Sequence, residues 1–355
     1  MLPIESAGYS IVFPPHAYDE LSELIATRKY STVFILADTN TAEKCLSNLL
    51  SNLAIENQIE IIEIENGESV KNIETASGIW NALIELGADR KSLLINLGGG
   101  VVTDIGGFVA STFKRGIDFI NIPTSLLAMV DASIGGKNGI DIGNLKNQVG
   151  TIVNPEMVVV DSSYLETLPA SEMRSGLAEM LKHGLIADKS YWREFHNLSG
   201  FEVSELDRLI YRSIEIKNQI VMQDPDEGGI RKALNFGHTL GHAIESHFLN
   251  DPQKPILLHG EAIAAGMIME AYLSLKKGLL SEADYIEIKF TIKNIFEDII
   301  FTENDVKCIL ELLIHDKKNE YGNVRFALID GIGAVALDHG AENDLIEDAF
   351  SEYKK

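Results

Sequence analysis

The chain is predicted to be an α/β protein in two parts, a parallel-sheet domain followed by a mostly α-helical one. Three observations carry this. Short apolar strands alternate with helical periodicity up to about Leu168. A glycine triplet, Gly98-Gly99-Gly100, closes one strand and opens a helix. Beyond Pro169 helical spacing takes over almost without a break.

The elements follow in order. Residues 32–37 read as an apolar strand ending at Asp38, 41–50 as a helix, and 59–64 as a second strand followed by Gly67. Residues 71–86 have helical periodicity. Residues 92–97 form a buried strand running into the glycine triplet, with a helix through Ala110; 118–122 and 157–160 are further strands. Strands joined through helices pair in parallel, and their ligands sit at the carboxyl ends of the strands. The first domain, 1–168, is thus Rossmann-like. In the second, 169–355, helices are expected over 171–187, 204–222, 231–248, 260–276, 283–296 and 304–314. Residues 324–329 and 334–337 flank Asp330-Gly331-Ile332-Gly333 and read as a hairpin.

Composition narrows the function. The 355 residues suffice for two domains, and 45% hydrophobic with 23% charged residues is ordinary for a globular protein. A net charge of −23 argues against nucleic acid and anionic membrane as partners, because the field repels both. Two distant cysteines, Cys45 and Cys308, and the lack of a Cys-x-x-Cys pair leave no thiolate zinc site and fit a reducing cytoplasm. No basic, apolar leader opens the chain, and no apolar run approaches a membrane span.

Chemistry concentrates in three places. Glycines at 98–100 let a backbone approach a pyrophosphate at a helix N-terminus, although Thr103 breaks the strict G-x-G-x-x-G spacing; a tight packing turn is the other reading. Asp38, at a strand end, is either a ribose contact or a cap for the next helix, and Asp104 either a ligand contact or a helix-start charge. His238 and His242 lie four residues apart, stacked on one helix face with Glu245 three further on, and His259 follows; this points to a metal. Position 239 is Thr, so the zinc-protease pattern His-Glu-x-x-His is absent. Basic residues stand beside small residues and turns at Lys114, Arg115, Lys137, Lys146, Lys182, Arg231 and Lys232, and 133–137 reads as an anion-binding turn.

The runs at 97–104, 110–116, 123–137, 176–182, 234–245 and 258–262 together resemble the 3-dehydroquinate synthase family, in order, from about Asp38 to Phe326. The resemblance implies conversion of 3-deoxy-D-arabino-heptulosonate 7-phosphate to 3-dehydroquinate and phosphate in the shikimate pathway. The steps are transient NAD oxidation of the substrate, phosphate elimination, re-reduction, ring opening and aldol closure. NAD and a divalent metal, zinc or cobalt, are the implied cofactors. The implied metal ligands are Glu179, His238 and His259, which leaves Glu245 an ordinary helix carboxylate. Nucleotide contacts would be Asp38, Asn40, Glu68, Lys71, Gly99, Gly100, Val101, Asp104, Thr124, Ser125, Lys146 and Thr167. Substrate contacts would be Asp131, Lys137, Asn147, Lys182, Lys217, Arg231, Asn235, His242 and Lys317 or Lys318. Glu227 and His242 match proton-transfer positions, Lys182 and Arg231 complete the catalytic set, and Arg115 resembles an arginine reaching the neighbouring site of a homodimer. Two departures are Leu145, where the family usually has Gly, and Asn138, where Thr is common. A sister sugar-phosphate cyclase, a metal-dependent polyol dehydrogenase and a silent binding protein are the alternatives.

Overall fold

A computed structural model describes residues 1–143, 145–196, 203–251, 253–315 and 324–355. The chain divides into two compact units, Met1–Pro169 and Ala170–Lys355.

The first unit runs β1 (Ile4–Glu5), β2 (Ser10–Val12), α1 (Ala17–Arg28), β3 (Val33–Asp38), α2 (Thr39–Lys44), α3 (Leu46–Asn52), β4 (Ile59–Ile64), α4 (Ile73–Glu85), β5 (Leu93–Gly98), α5 (Gly100–Thr112), β6 (Asp118–Pro123), β7 (Lys137–Ile142), β8 (Leu145–Ile152) and β9 (Met157–Val159). Seven strands form one sheet in the order β1-β2-β9-β6-β5-β3-β4. Only the edge pair β1–β2 is antiparallel; the other pairings are parallel. β7 and β8 stand apart as an antiparallel ribbon. Every residue of β3 before Asp38 is fully buried, and β5 is buried throughout. That is why these strands read as continuous apolar runs: both faces of a parallel sheet are covered. Against one face, Ile79 and Leu83 of α4 and Val102, Ile105 and Phe108 of α5 pack on Phe34, Leu36 and Leu94.

The strand order positions the ligand end. From β3 the chain moves to β4 on one side, then returns to β5 on the other. This reversal makes a crevice at the carboxyl ends of β3 and β5, where open sheets of this kind bind ligands. Asp38 ends β3 and Gly98 ends β5.

The second unit comprises α6 (Ala170–Ala187), α7 (Lys189–Glu194), α8 (Val203–Gln223), α9 (His238–Asn250), α10 (His259–Lys276), α11 (Glu282–Lys293), α12 (Glu303–His315), the antiparallel pair β10 (Arg325–Ile329) and β11 (Val335–Gly340), and α13 (Asn343–Tyr353). α10 is its central helix: Gly260 and every residue from Ala262 to Ser274 are buried. α6, α9, α11, α13 and β10 pack around it. Among the described residues no helix is long and apolar enough to cross a membrane.

Two expected helices are broken. Residues 41–50 form α2 and α3, kinked at Cys45, whose carbonyl still accepts from the Leu49 N–H at 3.2 Å. Residues 231–248 form a 3-10 turn, Ile230–Asn235, and then α9. Between them Gly237 has φ +78°, left-handed, and a Cβ there would lie 2.5 Å from Met267 Cγ. An α-helix cannot run through such a residue, and no side chain fits. The segments not anticipated were β1, β2, α1, the β7–β8 ribbon, α7 and α13.

Candidate active site

Glycines at helix crossings bring the helical unit's polar residues together. A Cβ at Gly266 of α10 would sit 2.0 Å from the Gly237 carbonyl oxygen, and one at Gly241 of α9 would lie 3.1 Å from Ile263 Cα. A Cβ at Gly260 would lie 2.4 Å from Ser175 Cα on α6, whose hydroxyl accepts the Gly260 N–H at 2.9 Å. Backbones this close leave only short distances between side chains at the crossing. His238 opens α9, His259 opens α10, and Glu179 projects from α6. Fully buried Glu270 fixes the start of α9, accepting the N–H of Gly237 at 2.7 Å and of Leu240 at 3.0 Å. A carboxylate there also complements the helix dipole.

At the crossing, Glu179 Oε1 lies 3.4 Å from His238 Nε2 and 3.7 Å from His259 Nε2. The ammonium of buried Lys182, one turn along α6, presses on Oε2. Glu179 is fully buried, and neither of its oxygens receives a hydrogen bond of regular geometry. Burial opposes its ionisation, but Lys182 and His238 hold its carboxyl well below the usual range. Burial and Lys182 lower His238, whereas the Glu179 and Glu245 carboxylates overcome burial and raise His259 to about 9.

The ring nitrogens facing away identify the donors. His238 Nδ1 lies 3.1 Å from the Phe236 carbonyl oxygen and His259 Nδ1 3.3 Å from Glu245 Oε2. Both partners only accept, so each Nδ1 carries a proton, and Nε2 is the nitrogen left to each ring for a metal on the Glu179 side. Two donors at ~2.1 Å from a tetrahedral zinc lie about 3.4 Å apart. The separations of 3.4 and 3.7 Å are close to that edge, and Glu179, paired with Lys182 through Oε2, keeps Oε1 as an oxygen donor for the site. These residues fit a divalent metal. His242 is a competing donor: one ring nitrogen of each of His238, His242 and His259 lies within 4.8 Å of the other two. The short Glu179 Oε1 distances to both Nε2 atoms favour the carboxylate. Glu245 is buried against His259 rather than facing solvent.

The 3-10 turn before α9 groups further expected residues. Asn235 donates through Nδ2 to Glu227 Oε1 at 2.9 Å, and Glu227 itself has φ +59°. Buried Arg231 donates from Nη1 to the Pro225 carbonyl at 2.6 Å. Lys217 is buried on α8, which packs against this turn. Lys317 and Lys318 lie outside the described residues.

In the sheet unit, the strand carboxyl ends collect most of the expected nucleotide residues. Asp38 caps α2, its Oδ1 accepting the Thr41 N–H at 2.8 Å, so the capping reading holds for that oxygen. Exposed Asn40 sits in the first turn of α2. Gly99 caps α5, with Gly100 and Val101 in its first turn; a Cβ on Gly99 would reach 3.4 Å from Ser125 Oγ. The Thr124 N–H donates to the Gly98 carbonyl at 3.0 Å, tying the ends of β5 and β6. After β4, buried Lys71 meets Asp104 Oδ2 at 2.5 Å and Asn147 Oδ1 at 2.6 Å, and Lys146 meets Glu68 Oε1 at 3.2 Å. Burial disfavours the Lys71 ammonium, but Asp104 and Glu68 outweigh it and raise its pKa. Asp131 lies in a π-helical turn, Ala128–Ala132, and Lys137 is exposed at the start of β7. Thr167 ends a 3-10 turn after β9, its hydroxyl 3.3 Å from the Tyr164 carbonyl oxygen.

Arg115 is not brought to this rim. It is exposed beyond the C-terminus of α5, whose 13 residues set it about 20 Å from Gly100. Asn138 is structural, because its Nδ2 donates to the Gly136 and Val153 carbonyls at 2.9 Å and its Oδ1 occupies the space a Cβ on Gly107 would need. Leu145 is exposed at the start of β8. Sequence reasoning missed Glu270 and the contact between Glu245 and His259. Spacing put Glu245 on the histidine face, but no signal marked Glu270.

Comparison with known proteins bears on this arrangement. The family model described as 3-dehydroquinate synthase N-terminal matches residues 61–175, and that described as 3-dehydroquinate synthase C-terminal matches 176–319. A 3-dehydroquinate synthase of Parabacteroides distasonis is 42% identical over 339 residues, 95% of each chain. One of a Sulfurovum species is 36% identical over 355 residues, covering 100% of this chain and 99% of its own. Among solved structures, 2-deoxy-scyllo-inosose synthase complexed with carbaglucose-6-phosphate, NAD+ and Co2+ superposes with a TM-score of 0.87 at 24% identity over 99% of both chains, a likeness of fold.

Proposed function

The chain belongs to the 3-dehydroquinate synthase family, and from that premise we propose that it converts 3-deoxy-D-arabino-heptulosonate 7-phosphate to 3-dehydroquinate and phosphate. The observation that supports this most is the buried Glu179 carboxylate facing the Nε2 atoms of His238 and His259. Those three residues would hold the divalent metal, zinc or cobalt; the sheet unit would hold NAD through Asp38, Asn40, Glu68, Lys71, Gly99, Gly100, Val101, Asp104, Thr124, Ser125, Lys146 and Thr167. Bound there, the metal would supply Lewis acidity toward a substrate hydroxyl, and NAD would supply reversible hydride chemistry with no net NADH.

The chain's own residues bind and orient. Lys182, Lys217 and Arg231 compensate the carboxylate and phosphate charges, the guanidinium being suited to a two-bond clamp. Asp131, Lys137, Asn147 and Asn235 fix the remaining polar groups, with one or both of Lys317 and Lys318. Glu227 and His242 move protons at the substrate. Holding a conformation suffices for ring opening and aldol closure. Arg115, far from its own rim, serves a second copy in a homodimer, and the reaction belongs in the cytoplasm.

The test is incubation with the heptulosonate phosphate, NAD and zinc. Phosphate release without net NADH supports the reading. Steady NADH production on a simple polyol, with no phosphate release, would replace it with a dehydrogenase. Turnover of a sugar phosphate lacking the carboxylate would favour a sister cyclase.

A further inference from the structure

The two histidines facing Glu179 are held differently. His238 gives its Nδ1 proton to a neutral acceptor, the Phe236 carbonyl at 3.1 Å. His259 gives its proton to a carboxylate, Glu245 Oε2 at 3.3 Å. We propose that Glu245 is a positioning residue of the metal centre. It fixes the ring and tautomer of His259, and its charge makes His259 Nε2 a stronger donor to a divalent cation. The inference rests on reading Glu179, His238 and His259 as the ligands.

Three features support it. Glu245 is 5% exposed, and a carboxylate that deep persists where it is partnered. Residues 238, 242 and 245 share one face of α9, so this helix supplies one ligand and the orienting group of another. At Gly241, between them, α9 meets α10 backbone to backbone, which holds Glu245 at the level of His259. A carboxylate on the far nitrogen of a ligating imidazole raises its basicity and restricts its rotation; losing it costs about 10–100-fold in metal affinity.

Zinc titrations of the full chain against a competing chelator test this, comparing wild type with Glu245→Gln, Glu245→Ala and His259→Ala. Glu245→Gln keeps the volume and a proton acceptor but loses the charge, and is expected to weaken zinc about 10-fold; Glu245→Ala should weaken it towards 100-fold. Both should shift the visible bands of the cobalt form and leave NAD affinity unchanged. Wild-type zinc affinity and an unshifted cobalt spectrum in both variants, with zinc lost in His259→Ala, would overturn the role of Glu245 alone. Full affinity in His259→Ala would instead overturn the ligand reading. A readout needing no variant is the long-range proton–nitrogen spectrum of the zinc-loaded wild type. The proton is expected on His259 Nδ1, and finding it on Nε2 would overturn the proposal.

Discussion

Gly266 and Gly237 meet so closely that a Cβ on the first would lie 2.0 Å from the carbonyl oxygen of the second. This contact sets the separation of α9 and α10, and with it the distance between His238 and His259. Backbone cannot retreat as a flexible side chain would. Gly266→Ala is therefore expected to destabilise the protein by about 1–3 kcal/mol in urea unfolding and to weaken zinc in a chelator titration. Unchanged values in both would show that the helices separate at no cost.

Glu270 holds the same helix from below. Its two oxygens accept separate N–H groups, from Gly237 and Leu240. Glutamine has one oxygen, so Glu270→Gln leaves one buried donor unmatched, at a cost of about 1–3 kcal/mol. Chemical denaturation measures this, and amide exchange at Leu240 should quicken before exchange in α11 does.

In the sheet unit, Lys71 and Asp104 form a close pair with side-chain exposures of 5% and 18%. Asp104→Asn removes the carboxylate charge closest to the ammonium, leaving it the neutral Asn147 oxygen. Destabilisation of about 3 kcal/mol is expected, the low end for a broken buried pair, because Asp104 keeps some contact with water. NAD affinity should fall in isothermal titration while zinc affinity stays as in the wild type.

Legibility differed between the two units for a physical reason. The buried strands, the Gly98 turn and most helices were readable because apolar periodicity is local. The break at Gly237 was not: a glycine within a helical pattern shows nothing of the Met267 side chain that packs against it. His238 and His259 stood out by spacing, but Glu179, one carboxylate among 53 acidic residues, came only from family resemblance. Glu270 and Glu245 act on backbone amides and a ring from neighbouring helices, and no sequence spacing encodes such contacts.

Acid stability offers a test away from the site. Asp188 caps α7 and pairs with Arg212 at 2.7 Å. Burial opposes its charge, but hydrogen bonds from Ser190 and Arg212 win and depress it from 3.8 to about 2. The folded value lies below the unfolded one, so its stabilisation is complete above about pH 4 and is lost as pH falls toward 2. With Arg212 partly exposed, the contribution is roughly 1–2 kcal/mol. Urea unfolding of Asp188→Asn should show that deficit at pH 6 and a smaller one near pH 2.5. A deficit unchanged with pH would assign it to the cap alone.

The most direct measurement is a crystal structure of the zinc-loaded protein with anomalous data at the zinc edge. One peak is expected, bonded to Glu179, His238 Nε2 and His259 Nε2, with His242 outside bonding distance. A peak held by His238, His242 and His259, with Glu179 paired only to Lys182, would contradict the proposed ligand set.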